Sequence, residues 1–156
     1  MALTFPLRSN PDPAPDADVV RVLADPGFGD HFTDHMAIAT WTKDNGWSDA
    51  AIVPYGPFQM DPASAVLHYA QEIFEGLKAY RHADHSIHLF RPEANARRFE
   101  ASAARMMLPQ LPVDDFVGAV TELVAADSRW VPGAAGEHSL YIRPFMFASE
   151  VFLGVR

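Results

Sequence analysis

The stretch that most constrains the fold covers residues 66–91, VLHYAQEIFEGLKAYRHADHSIHLFR. Over residues 73–81 the side chains alternate with the period of a strand: Ile73, Glu75, Leu77 and Ala79 on one side, Phe74, Gly76, Lys78 and Tyr80 on the other. Residues 82–84 read as a turn, and residues 86–90 return, with Ile87 and Leu89 alternating against His88 and Phe90. This pattern predicts a β-hairpin. A glycine inside a strand weakens it, so Gly76 marks a place where something approaches the backbone closely. Phe74 shares its face and walls the same space. Arg91 stands where the second strand stops and Pro92 opens a helix. Its forked donors suit a phosphate or a carboxylate.

The flanking segments supply the rest of a domain. Residues 1–25 carry Pro6, Pro11, Pro13, Pro15 and four aspartates, and read as an extended N-terminal arm, a loose tail. Residues 32–41 alternate as a strand, Asn45-Gly46 is a hairpin turn signal, and residues 47–53 return. Asp61-Pro62 opens a short helical turn through Ala65. Residues 92–107 read as a helix with an apolar stripe of Ala96, Phe99, Ala103 and Met106, and with Arg97, Arg98 and Arg105 turned away. After Pro109 and Pro112, Asp114 caps a second helix that buries Phe116, Val117, Val120, Leu123 and Val124 and that Trp130 extends. Residues 140–147 form a last strand, with Tyr141, Arg143, Phe145 and Phe147 opposite Leu140, Ile142 and Met146. Pro144 implies an edge position or a bulge. The largely apolar faces predict burial on both sides, with a partner for Tyr141 and Arg143. Strands, two consecutive helices and a strand point to an α+β fold: a two-layer small domain, a largely antiparallel sheet with helices on one face.

A chain of 156 residues, 49% of them apolar, is long enough for one core. Its net charge of −8 and lack of a basic run argue against nucleic acid and anionic membranes as partners. With no cysteine there is no disulfide or thiolate metal site. Neither a membrane-spanning run nor a signal-peptide pattern is present, so a cytoplasmic protein is expected. Two histidine groups invite a metal reading: His31 and His35 with Asp30 and Asp34, and His82, His85 and His88 with Asp84. Solvated histidines on sheet faces and turns are the more economical account, and no metal is expected.

The runs LHYAQEIFEGLKAYR, LFRPEANARRF and SLYIRPFMFASEVFLGV, in this order, closely resemble the branched-chain amino-acid aminotransferases, class IV enzymes that use pyridoxal 5'-phosphate. The resemblance extends from about Phe28 to Val155 and implies that residues 26–156 are the family's N-terminal small domain. It implies that Arg91 binds the cofactor phosphate, that Phe74 lines the substrate pocket and Gly76 admits the substrate. Tyr69 would reach the active site of the other subunit of a homodimer. Tyr141 and Arg143 would lie at the pocket. An arginine beside a mainly apolar pocket accepts a second carboxylate, so one site would take leucine, isoleucine or valine and also glutamate or 2-oxoglutarate. The family's Schiff-base lysine lies in a second, C-terminal domain. Lys43 and Lys78 are the only lysines here. Lys43 adjoins a turn; Lys78 shares the face of Phe74 and Gly76, in surroundings unlike those of the family's lysine. No catalytic residue is therefore expected within the chain, which alone should not transaminate. The rival readings are a D-amino-acid aminotransferase or aminodeoxychorismate lyase of the same fold type, and a non-catalytic dimerising domain with a large exposed apolar patch. The long arm and the FEG motif favour the branched-chain enzyme.

Overall fold

The alternation over residues 73–81 holds: Ile73, Glu75, Leu77 and Ala79 are buried, whereas Phe74, Lys78 and Tyr80 are exposed. The strand itself does not run through. A computed structural model describes residues 2–135 and 138–154. In chain order its elements are α1 (Asp16–Ala24), β1 (His35–Thr42), β2 (Gly46–Pro54), α2 (Ala65–Tyr69), β3 (Glu72–Phe74), β4 (Leu77–Arg81), β5 (Ile87–Leu89), α3 (Pro92–Arg105) and α4 (Val113–Ala126). A 3-10 turn (Ser128–Trp130), β6 (Leu140–Ile142) and β7 (Phe145–Phe147) follow.

Among the described residues the strands make three antiparallel sheets: β1 with β2, β3 with β7, and β5-β4-β6. The two strands expected to be continuous, 73–81 and 140–147, both break, and they break opposite each other. At the break the Glu75 N–H donates to the Pro144 carbonyl at 2.8 Å. Proline has no N–H to continue a ladder, so the two chains change sheets together. The 140–147 segment is not buried on both sides as expected. Ile142 is buried, but Arg143 and Phe145 on the other face are exposed.

The helices cover the inner face. Ile73, Leu77, Ala79 and Ile142 pack against Ala96, Phe99 and Ala103 of α3 and against Phe116, Val120 and Val124 of α4. The Phe99 and Phe116 rings lie 5.3 Å apart between the helices. The fold is thus α+β, with helices against small antiparallel sheets. Met106, expected on the buried stripe, is exposed. α3 ends at Arg105, Met107 takes a positive φ of 56°, and the Leu108 N–H returns to the Ala103 carbonyl at 2.8 Å. This cap turns Leu108 into the core instead. α4 begins one residue before Asp114, which lies in its first turn, where a carboxylate suits the helix dipole, rather than at a cap. Trp130 sits in the separate 3-10 turn. Asp61 caps only a turn, accepting the Ala63 N–H at 2.7 Å, and α2 starts later, at Ala65.

The N-terminal residues are not a loose tail. Phe5 and Val19 are buried, and 16–24 is helical. The Ile52 N–H donates to the Pro6 carbonyl at 3.1 Å, and the Arg8 N–H donates to the Ile52 carbonyl at 2.8 Å. Further along, Arg129 donates to Asp16, to the Ala14 carbonyl and to buried Asp34 at 2.6, 2.6 and 2.8 Å. Burial resists ionisation of Asp34, but the Ala14 N–H, the Trp130 indole and Arg129 outweigh it and hold the carboxyl below its ordinary value. His35 is committed as well: Nε2 accepts the Asn10 N–H at 3.1 Å, and Nδ1 meets Asp127 at 2.6 Å. No helix among the described residues is long and apolar enough to cross a membrane.

Candidate functional site

The open face at the double break gathers most of the residues singled out from the sequence. Tyr141, at the centre of β6, turns its ring over Gly76; a Cβ on Gly76 would overlap the Tyr141 hydroxyl. The glycine is therefore required by a close approach, and the approaching group is a side chain of the same chain. Arg143 Nε donates to that hydroxyl at 3.1 Å. Its guanidinium carbon lies 4.5 Å from the Phe74 ring centre and 5.3 Å from that of Tyr141. Such stacking holds a guanidinium on aromatic faces while leaving its edge free for an anion. Arg143 is exposed and forms no ion pair among the described residues.

Phe28, which sequence reasoning did not single out, completes the group. Its ring meets Tyr141 edge-on at 5.2 Å, and it is 72% exposed, an unfavourable place for an aromatic ring unless something covers it. Gly27 and Gly29, both at positive φ, flank it and give the loop its tight course. Lys78 faces Tyr141 across the β4–β6 pairing and is exposed. Phe74, Gly76, Tyr141 and Arg143 are thus brought together, with Phe28 and Lys78 beside them.

Behind this face is a buried polar cluster. Glu75 is 8% exposed and takes both arms of Arg98, at 2.8 and 2.7 Å. The Asn95 carboxamide donates to Glu75 at 2.9 Å and to the Gly76 carbonyl at 3.0 Å. Burial pushes the Glu75 carboxyl up, but Arg98 and Asn95 more than offset it, and its titration lies below the ordinary value. No motif reading pointed to Glu75 as a buried anchor. The only signal was its place on one strand face with Ile73, Leu77 and Ala79.

Arg91 and Tyr69 make no ring contact, ion pair or side-chain hydrogen bond with this group among the described residues. Arg91 caps α3 in the left-handed region (φ 50°, ψ 50°), is exposed, and has no side-chain partner among the described residues. A non-glycine residue held there stores backbone strain. Pro92 at the first position of this 14-residue helix has no N–H, and the Ala94 N–H donates to the Arg91 carbonyl at 3.0 Å, so the guanidinium is the principal donor available to an anion at this helix start. Tyr69 ends α2, is 48% exposed and adjoins Ala70, also left-handed at φ 51°. The histidines of the β4–β5 turn bond locally. His82 and His88 rings lie 4.3 Å apart, and Ser86 Oγ bridges His88 and Asp84 at 2.9 and 2.6 Å. His31 and His35 do not join in a site, and no group of metal-ligating residues occurs among the described residues.

No family model matches the chain. Relatives do. Over 98% of its length the chain is 56% identical to a probable branched-chain-amino-acid aminotransferase of Streptomyces coelicolor. Over 99% it is 54% identical to the branched-chain-amino-acid aminotransferase of Mycolicibacterium smegmatis. In both cases it spans 42% of the relative's length. Among solved structures, a branched-chain amino acid aminotransferase from T.th., complexed with N-(5'-phosphopyridoxyl)-L-glutamate, superposes with a TM-score of 0.54 at 28% identity, over 76% of this chain and 35% of that one. That of Escherichia coli gives 0.52 at 25% identity, over 66% and 32%. The chain belongs to the branched-chain-amino-acid aminotransferase family and corresponds to the N-terminal part of its members.

Proposed function

We propose that these residues form the substrate-pocket and phosphate-anchoring half of a pyridoxal 5'-phosphate-dependent aminotransferase that moves an amino group between leucine, isoleucine or valine and 2-oxoglutarate. One observation carries the reading: in a chain of this family, an exposed arginine with no ion pair among the described residues lies stacked on Phe74 and Tyr141 at the mouth of an aromatic face. The aromatic carbon of Phe28, Phe74 and Tyr141 receives a branched aliphatic side chain. Arg143, steadied by the Tyr141 hydroxyl, receives the side-chain carboxylate of glutamate or 2-oxoglutarate. Gly76 leaves the room that the Tyr141 hydroxyl occupies.

Arg91, with the first turn of α3, holds the cofactor phosphate. When bound, the cofactor would supply an electron sink for the substrate α-carbon and would carry the amino group from one substrate to the other. Neither Lys43 nor Lys78 takes the Schiff-base role, which in this reading belongs to a domain outside residues 1–156. Residues 26–156 then act as the small domain of a class IV enzyme, following the N-terminal arm. Tyr69 serves the neighbouring active site of a homodimer, in the cytoplasm, where amino-acid biosynthesis supplies the substrates.

The test is a substrate profile. A chain that joins these residues to the family's lysine domain is expected to transaminate leucine, isoleucine and valine with 2-oxoglutarate. Residues 1–156 alone are expected to show no turnover. Preference for a D-amino acid, lyase activity on aminodeoxychorismate, or turnover by the short chain would each overturn the proposal.

A further inference from the structure

Asn95 lies where the two halves of this site meet. It is 8% exposed, four residues after Arg91 and therefore one turn further along α3. A buried carboxamide inside a helix is a poor choice on propensity and on burial; leucine would serve better if packing were its only purpose. Its two hydrogen bonds show what the amide does. Gly76 lies between β3 and β4, in neither ladder, so its carbonyl has no strand partner. Asn95 Nδ2 occupies that carbonyl and at the same time the Glu75 carboxylate. Glu75 in turn grips Arg98, one turn further along the same helix face.

The start of α3 is thus fastened to the Phe74–Gly76 segment by side chains from two successive turns, and Arg91 begins that helix. We propose that Asn95 is a positioning residue that couples the phosphate-side Arg91 to the substrate-side Gly76, so that an anion at one is felt at the other. The inference rests on the reading of Arg91 as the phosphate anchor given above. Arg98 secures Glu75 from solvent; among the described residues Asn95 is the side chain that bonds the carbonyl of Gly76, the residue against which Tyr141 rests.

The test uses the 156-residue chain, inorganic phosphate as the probe, and amide NMR as the readout, with no turnover required. In the wild-type chain phosphate is expected to shift the amides of Glu93, Ala94 and Asn95, and with the same saturation curve those of Gly76 and Leu77. Arg91→Gln should abolish both sets. Asn95→Ala should keep the α3 response, with affinity about two- to tenfold weaker, and lose the response at Gly76 and Leu77. Arg98→Gln, a change at an exposed guanidinium, should keep both, which separates the Asn95 link from a general loosening of Glu75.

A wild-type chain with no response anywhere overturns the Arg91 reading and the coupling with it. A response confined to α3 in the wild type, or one at Gly76 that survives Asn95→Ala, overturns the coupling alone. Should Asn95→Ala fail to fold, hydrogen exchange in the wild type decides: phosphate must slow exchange at the Glu75 N–H, held by Pro144, as well as in the first turn of α3, and slowing in α3 alone overturns the coupling.

Discussion

Gly76 is constrained by the neighbour that lies on it. A Cβ there would collide with the Tyr141 hydroxyl, so Gly76→Ala must displace the tyrosine or the break between β3 and β4. Overpacking of this kind costs about 1–3 kcal/mol. The expected result is a lower melting temperature together with altered ring signals of Tyr141 and of Phe28, its edge-on neighbour; unchanged aromatic spectra would contradict the close approach. Arg143 gives a sharper expectation. Among the described residues its guanidinium is held by two rings and a hydroxyl rather than by a carboxylate. In an active enzyme containing this chain, Arg143→Leu should raise KM for 2-oxoglutarate by about tenfold or more, the worth of a hydrogen bond to a charged group. KM for leucine should change much less. Equal effects on both would count against Arg143 as the carboxylate receptor.

At the scale of elements, the Glu75 cluster joins β3, β4 and α3, and it answers to pH. The folded chain holds the Glu75 carboxyl below its ordinary 4.5 and that of Asp34 below 3.8. A carboxyl whose folded value lies below its unfolded one stabilises the fold fully above the unfolded value, and that contribution is lost as pH falls towards the folded value. Melting temperature should therefore be insensitive to these groups near neutrality and drop once pH falls below about 4.5. Glu75→Gln should lower the plateau and flatten the part of the drop that Glu75 supplies; an unchanged acid limb would show that Glu75 does not carry it. This cluster also shows where sequence reading reaches its end. Alternation grouped Glu75 with Ile73, Leu77 and Ala79 correctly, because the pleat has a strict period of two, but it did not say which of the two faces is buried. The break beside it was not legible. Pro144 and Gly76 each signalled an irregularity, but that they lie opposite each other is a matter of pairing between segments about 70 residues apart. The partner of Glu75 was likewise hidden, since Arg98 reads from α3 as one more solvent-facing charge. Phe28 was missed because it lies in a loop between Gly27 and Gly29, where neither a helical nor a strand period assigns a side chain to a face. The quartet of Phe74, Gly76, Tyr141 and Arg143, by contrast, was legible from strand faces together with family motifs.

Over the whole molecule, residues 2–25 lie packed against the small domain instead of trailing from it. Their proline content hid this, because prolines that signal a flexible segment in isolation also suit an extended strap laid on a surface. Arg129 is the strap's fastening, reaching Asp16, the Ala14 carbonyl and Asp34. Arg129→Ala should cost about 2 kcal/mol, below the usual range for breaking a buried pair because the arginine is a third exposed. It should also speed proteolysis near α1; a melting temperature equal to the wild type would contradict this. The pairing of Leu7 with Ile52 carries a further consequence. Among the described strands β2 pairs with β1 alone, and at Ile52 residues 6–8 occupy its outer edge with their own backbone. An uncovered edge is a template on which foreign strands add and aggregates grow. Removing residues 1–10 should therefore produce concentration-dependent association, visible by light scattering, before it produces unfolding, so the choice of start residue or N-terminal tag governs the solubility of the protein.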